Sequence, residues 1–397
     1  MKLSNRVQKM EFSPIRKLVP YGEMAKANGV NVYHLNIGQP DIETPSTFFE
    51  GMKNFHDCVL KYTSSQGIEE LINSFIKYYK QWDIEFEKDE IMITNGGSEA
   101  IMFALMAICD SGDEIIIPEP FYTNYNGFSE VAGVNIISFS TKAEDGFHLP
   151  KKEDIISMIS DKTRAILISN PGNPTGVVYS FEEIKLLSDI AKEKDIYLIA
   201  DEVYREFVYD NLKYTSALYM KDSLDRIILI DSISKRYSAC GARIGLVASK
   251  NKHLMKQILK FGQTRLCVPT IEQLAATNLI NTPKEYFNGV KKEYEERRNI
   301  LYEYLSSIPG VICRKPAGAF YVIAKLPVKN AEDFAKWLLT DFSYKNKTVM
   351  VAPAEGFYAN KELGKDEIRI SYCLNKDALI DAMDLLKRAL EKYKLMY

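Results

Sequence analysis

Short runs of consecutive apolar residues, rich in Ile and Val, recur through the middle of the chain. They are Ile91–Thr94, Glu114–Ile117, Asn135–Phe139, Ala165–Ser169, Ile196–Ala200, Ile227–Ile230 and Ile244–Ala248. A strand with one wet face alternates apolar and polar residues; runs apolar at successive positions predict strands covered on both faces. Helix-period patterns lie between several of them, as at Glu99–Cys109 and Phe181–Lys194. Strands alternating with helices predict a mostly parallel α/β sheet between helical layers. The last two runs follow each other closely, so the order there is expected to be irregular. Beyond about residue 280 the texture changes. Lys284–Ser306 reads as a long charged amphipathic helix, Ala331–Thr340 and Lys376–Lys392 as further helices, and Ala319–Ala324 and Glu367–Tyr372 as strands. The expectation is a large α/β domain over residues 46–283 and a smaller α+β domain built from residues 1–45 and 284–397.

Four of the segments that follow these strands carry chemistry-bearing residues. Asn95-Gly96-Gly97-Ser98-Glu99 joins a strand to a helix. Glycines admit a ligand to the backbone, Ser98 reads as an N-cap, and the unpaired N–H groups of a helix start attract anions; a plain strand–turn–helix remains the alternative. Asn170-Pro171-Gly172-Asn173-Pro174-Thr175-Gly176 is a turn stiffened by two Asn-Pro steps, able to aim the Asn173 amide or simply to turn the chain. Asp201-Glu202-Val203-Tyr204 places a carboxylate and a phenol at a strand's carboxyl end, where open α/β sheets bind ligands; Asp201 is also readable as an N-cap. Finally, Lys235 in Ser232-Ile233-Ser234-Lys235 follows a buried strand, an odd place for a solvated charge. A partly buried lysine suits Schiff-base chemistry, and Arg243, between Gly241 and Gly245, has room to reach a phosphate. A surface lysine at a strand end is the competing reading.

Composition narrows the field rather than choosing within it. The chain of 397 residues is 46% apolar and 26% charged with a formal net charge of −2, so no basic excess marks a nucleic-acid binder. No run of about 18 apolar residues predicts a membrane span, and the N-terminal segment lacks the apolar core of a secretory signal. Six dispersed cysteines without a Cys-x-x-Cys step read as reduced thiols of a cytoplasmic enzyme. The four histidines, His34, His56, His148 and His253, are scattered, and no metal site is expected.

Taken together in this order, the motifs resemble those of the class I and II pyridoxal-phosphate (PLP)-dependent aminotransferases, the aspartate aminotransferase-like enzymes of PLP fold type I. Ser232 to Gly245 satisfies the family's lysine signature, and the resemblance runs from Leu35-Asn36-Ile37-Gly38-Gln39-Pro40 to Arg369-Ile370-Ser371-Tyr372. It implies a large PLP-binding domain with a seven-stranded sheet and a small domain drawn from both termini. It implies that Lys235 carries PLP covalently, that Asp201 pairs with the pyridine nitrogen, and that Tyr204 and Asn173 hydrogen-bond the ring oxygen. Ser232, Arg243 and the backbone at Gly97 and Ser98 would hold the phosphate, and Tyr122 would stack on the ring. Arg369 would bind the substrate α-carboxylate with help from the backbone at Gly38 and from Asn173. Tyr62 would reach the phosphate of a neighbouring subunit, which implies a homodimer with shared sites. Arg265 is a candidate for crossing that interface to select an acidic donor; an ordinary ion-paired arginine is the alternative.

The implied activity is ping-pong aminotransfer between an L-amino acid, aspartate-type favoured, and a 2-oxo acid. β-Elimination from sulfur amino acids, related cyclising chemistry, and aromatic or broad-specificity aminotransfer use the same cofactor motifs and stay open. A PLP-binding transcriptional regulator would need a DNA-binding module ahead of the match, and a nicotinamide dehydrogenase would need a Gly-x-Gly-x-x-Gly turn; neither pattern is found.

Overall fold

A computed structural model describes residues 1–53, 55, 56 and 58–396. Its strands are β1 (Asn31–His34), β2 (Ile91–Asn95), β3 (Glu114–Glu119), β4 (Asn135–Ser140), β5 (Thr163–Ser169), β6 (Tyr197–Asp201), β7 (Ile227–Ser232), β8 (Ile244–Ala248), β9 (Ile312–Cys313), β10 (Tyr321–Lys325), β11 (Lys347–Met350), β12 (Ala352–Pro353) and β13 (Glu367–Ser371). β2 to β8 form a seven-stranded sheet in the order β2-β8-β7-β6-β5-β3-β4. It is parallel except for β8, which runs against both its neighbours. Each of the seven apolar runs is a strand, and the irregularity expected of the last two is this reversal.

The sheet is buried on both faces because successive residues feed two different cores. In β5, Ile166 and Ile168 join one core while Ala165 and Leu167 join the other; in β7, Ile227 and Leu229 part in the same way from Ile228 and Ile230. On one face lies the helix Phe181–Glu193, which buries Ile184, Leu187 and Ile190. Its start is fixed by a capping box: Ser180 accepts from the Glu183 N–H, and the Glu183 carboxylate accepts from the Ser180 N–H. On the other face the helix Gly96–Ile108 buries Ala100, Ile101, Phe103, Ala104 and Leu105. Each fully buried Leu, Ile or Phe contributes roughly 1.5–3 kcal/mol.

A smaller domain has its own core, in which Val32 and Leu35 from near one end of the chain meet Leu338, Val349, Ile370 and Leu386. There β12, β13, β10 and β9 make a four-stranded antiparallel sheet, and β1 pairs in parallel with β11. The helices Lys284–Ser306 and Ala331–Thr340 begin and end where the sequence pattern puts them, and the last helix runs slightly further, Lys376–Lys394. No helix among the described residues is long and apolar enough to cross a membrane.

Candidate active site

The last residues of three adjacent parallel strands, Ser169 of β5, Asp201 of β6 and Ser232 of β7, line one cavity of about 690 Å³ at the carboxyl edge of the large sheet. The short helix Ile233–Arg236 follows β7 directly, with Ser232 as its N-cap: the Ser232 Oγ accepts from the Ser234 N–H at 3.0 Å. On this helix two neighbouring cations part company. Arg236 enters the core and pairs with Asp231 at 2.7 Å, whereas Lys235 turns to the cavity and donates to the Gly38 carbonyl at 3.0 Å. The buried ion pair therefore fixes the base on which Lys235 stands.

Asp201 is 6% exposed. Its Oδ2 accepts from the Tyr125 hydroxyl at 2.8 Å and its Oδ1 from the Val203 N–H at 3.4 Å. Burial pushes its carboxyl up to about 6, against the pull of these hydrogen bonds. The buried Tyr204 hydroxyl lies 3.0 Å from that of Tyr321, whose hydroxyl in turn donates to the Gly38 carbonyl at 3.5 Å. Gly38 tolerates no side chain: a Cβ there would stand 1.9 Å from the Tyr321 hydroxyl.

Gly97 and Ser98 sit in the first turn of the helix Gly96–Ile108 and line the cavity. The helix begins earlier than expected, with Asn95 at the N-cap and no side-chain cap, so Ser98 is a first-turn residue rather than the cap. The Glu99 carboxylate takes the Asn95 N–H instead. The first turn's remaining donors lack intrahelical partners and favour an anion. Arg243 closes on the same turn. It donates to the Cys240 and Asn95 carbonyls, and Gly96, at φ +76°, leaves room for a guanidinium that a Cβ would meet at 2.3 Å.

Arg369, on β13, comes from the smaller domain. It is 2% exposed, donates to the Asn36 carbonyl and to Asn173 Oδ1, and leaves its Nε without a partner. Among the described residues it has no carboxylate to pair with, and burial lowers its pKa. Tyr122 borders the cavity with its hydroxyl accepting from Asn124 at 2.8 Å.

All the candidate residues thus meet in this cavity except Tyr62 and Arg265. Tyr62 is 80% exposed and stands outside it. Arg265 turns beneath the helix start: it donates to the Ile93 carbonyl at 3.2 Å and its Nε is 3.6 Å from the Glu99 carboxylate. Within its own chain Arg265 is an ion-paired arginine. Sequence reasoning passed over Tyr321, Ser234, Ile15, Ile37 and Arg16, which also line the cavity. Ser234 and Ile37 lay inside recognised motifs. The others carry no local signal, since only tertiary packing brings them there.

The profile of the family described as "Aminotransferase class I and II" matches residues 30–386.

The chain belongs to the class I and II aminotransferases.

As a member it is a PLP-dependent transaminase acting on amino acids and 2-oxo acids. The "Aspartate aminotransferase" of Bacillus subtilis is 31% identical over 99% of this chain and 100% of its own. The "(5-formylfuran-3-yl)methyl phosphate transaminase" of Methanocaldococcus jannaschii is 33% identical over 98% and 100%. The crystal structure of an aspartate aminotransferase from Thermotoga maritima superposes with a TM-score of 0.89, at 30% identity, covering 98% of this chain and 100% of that one. The donor set fits the cofactor. A desolvated carboxylate without a cationic partner, an arginine at an open helix start and a lysine facing the same space match a ring nitrogen, a phosphate and an aldehyde.

Proposed function

We propose that the chain moves the α-amino group of an acidic, aspartate-type L-amino acid to a 2-oxo acid by a ping-pong mechanism. Arg369 carries the reading of an α-amino acid substrate: a guanidinium buried without a carboxylate, in the cavity that holds Lys235 and Asp201, is a ready seat for a substrate α-carboxylate, while the acidic preference rests on the likeness to aspartate aminotransferases. When bound, PLP supplies the electron sink that makes the substrate's α-carbon acidic. Lys235 would hold it covalently, Asp201 would face the ring nitrogen, Tyr204 and Asn173 the ring oxygen, and Tyr122 the ring face. Ser232, Arg243 and the amides of Gly97 and Ser98 would take the phosphate. Arg369 and the Gly38 backbone orient the substrate so that its α-hydrogen faces the Lys235 amine. Displaced by the substrate's own amine and so set free, the Lys235 amine would then move the proton as general base, a contribution of roughly 10²–10⁴ in rate. Asp201 holds a proton on the ring nitrogen, and the Tyr204–Tyr321 pair keeps the wall over Lys235 rigid.

Tyr62 and the exposed apolar side chains Phe49, Val59, Leu60 and Leu266 support a homodimer in which Tyr62 reaches the partner's phosphate. The Thr270 hydroxyl donates to the Lys61 carbonyl, so Tyr62 follows a residue tied to the segment after Leu266. The apolar lining at Ile15, Ile37, Ile101 and Phe128 favours a second reading, a broader range that includes aromatic donors.

Borohydride reduction of the holoenzyme followed by peptide mapping tests the assignment. A pyridoxyl label on Lys235, with turnover abolished in Lys235→Ala, is the expected result; a label on another lysine overturns it. A donor panel containing aspartate, alanine and phenylalanine decides between the two readings.

A further inference from the structure

The cavity's charges do not balance. Four cations line it, Arg16, Lys235, Arg243 and Arg369, against one carboxylate, Asp201. The reading above assigns three of the cations: Lys235 to the cofactor aldehyde, Arg243 to its phosphate, and Arg369 to the substrate α-carboxylate. Arg16 is left over. It is exposed, and among the described residues its guanidinium makes no ion pair, hydrogen bond or ring contact.

Its backbone, by contrast, is firmly held. The Arg16 N–H donates to the Ser13 carbonyl at 2.9 Å and its carbonyl accepts from the Val19 N–H at 3.0 Å, closing a tight turn. Pro14 packs so closely on Gly356 that a Cβ at Gly356 would stand 2.6 Å from the proline ring. Asn36 then ties the turn to the α-carboxylate seat: its amide donates to the Ile15 carbonyl at 3.2 Å while its own carbonyl accepts from Arg369. One buried residue therefore sets the spacing between Arg369 and the segment bearing Arg16. Both guanidinium groups act on the Tyr122 hydroxyl, where they oppose the rise in pKa that burial imposes. Ile15 and Ile37 line the same cavity as Arg16 and give it apolar surface.

We propose that Arg16 selects the substrate by receiving an anionic group, carboxylate or phosphate, at the far end of the substrate's side chain. This rests on the aminotransfer reading and adds to it the residue that sets donor choice. An arginine suits the task because its planar fork meets either oxyanion bidentately.

The test uses PLP-loaded wild type, Arg16→Gln and Arg16→Lys. Half-reaction kcat/KM is measured with L-aspartate, O-phospho-L-serine, L-alanine and L-phenylalanine. Calorimetry of succinate against butyrate gives a readout independent of turnover. Arg16→Gln is expected to lower kcat/KM for an anionic donor by roughly 10- to 100-fold, the worth of a hydrogen bond to a charged group, and to change alanine and phenylalanine by less than about threefold. Succinate binding weakens in step, butyrate binding does not, and Arg16→Lys recovers part of the loss. The larger drop, with aspartate or with phosphoserine, tells which anion is preferred. Equal losses for anionic and neutral donors, or no loss for any, overturn the proposal. Wild type that accepts neutral donors and neither anionic one overturns it while aminotransfer stands. Wild type that accepts no amino acid overturns both.

Discussion

Arg236 and Arg369 are both almost wholly buried, yet they are buried for opposite reasons. Arg236 sits under the large sheet among Asp231, the Ser232 carbonyl and the ring of Tyr78, and two other buried arginines, Arg205 and Arg298, are likewise paired with Glu202 and Asp210. Arg369 is flanked by Tyr321 and Phe357 and touches only neutral oxygens. Taking a guanidinium out of water costs several kcal/mol unless a carboxylate offsets it. The protein settles that cost internally at Arg236 and leaves it open at Arg369, where a ligand can settle it. Burial alone thus does not separate structure from function; burial without a counter-charge does.

The largest expected effect tests the paired side. Arg236→Met strands Asp231 in the core and should destabilise the protein by about 3–5 kcal/mol in urea unfolding, the usual result of removing one member of a buried pair. It should also loosen the Lys235 helix, so that any folded fraction binds PLP more weakly. Wild-type stability would show that the Arg236–Asp231 pair does not hold the fold. On the open side, Arg369→Met should lower kcat/KM for every α-amino acid by roughly 10²–10³-fold, about 3–4 kcal/mol of lost interaction with the α-carboxylate. Its stability without substrate should change less than that of Arg236→Met. A drop confined to one donor would move the α-carboxylate elsewhere.

Asp201 offers a third and smaller test, since it too is buried without a salt bridge among the described residues. Its folded-state carboxyl, at about 6, lies above the ordinary aspartate value, so ionisation is disfavoured by folding. The sign follows: the burial cost is absent below about pH 4, grows between about 4 and 6, and is complete above that. Cofactor-free Asp201→Asn should therefore match wild type near pH 4 and exceed it by up to about 3 kcal/mol at pH 7.5. The same substitution should slow α-hydrogen removal in the holoenzyme. A stability gain that is the same at both pH values would show that ionisation of Asp201 is not its source.

The large sheet was legible because strands buried on both faces are written as unbroken apolar runs; the structure extends Ala165–Ser169 back to Thr163 and Ile227–Ile230 on to Ser232. Lys235 and Asp201 were legible because a charge at the end of such a run is out of place. β1 and β11, by contrast, are four residues each and mix polar with apolar positions, and nothing local says that Asn31 pairs with Lys347. β9 and β12 are two residues each, too short for any period. Ser98 was misplaced because a helix start set by Gly96 and by Glu99 reaching back to Asn95 looks, in sequence, like a serine cap. Arg265 and Arg16 show the same limit from opposite sides. Each is an arginine in unremarkable sequence, and only the third dimension gives one to Glu99 and the other to the cavity.

The bond from Arg369 to Asn36 joins positions 333 residues apart in the chain. During synthesis Asn36, with Ser13, Arg16 and Gly38 around it, leaves the ribosome 333 residues ahead of Arg369 and waits for the strand that will complete the site. The large sheet can assemble in that interval, since all seven of its strands lie between Ile91 and Ala248. Long-range closures of this kind form late, after the local ones have paid the entropy of ordering. The proposed substrate seat is consequently acquired only after all seven strands of the large sheet have been made, and the nascent chain has no complete version of it until the strand bearing Arg369 has emerged.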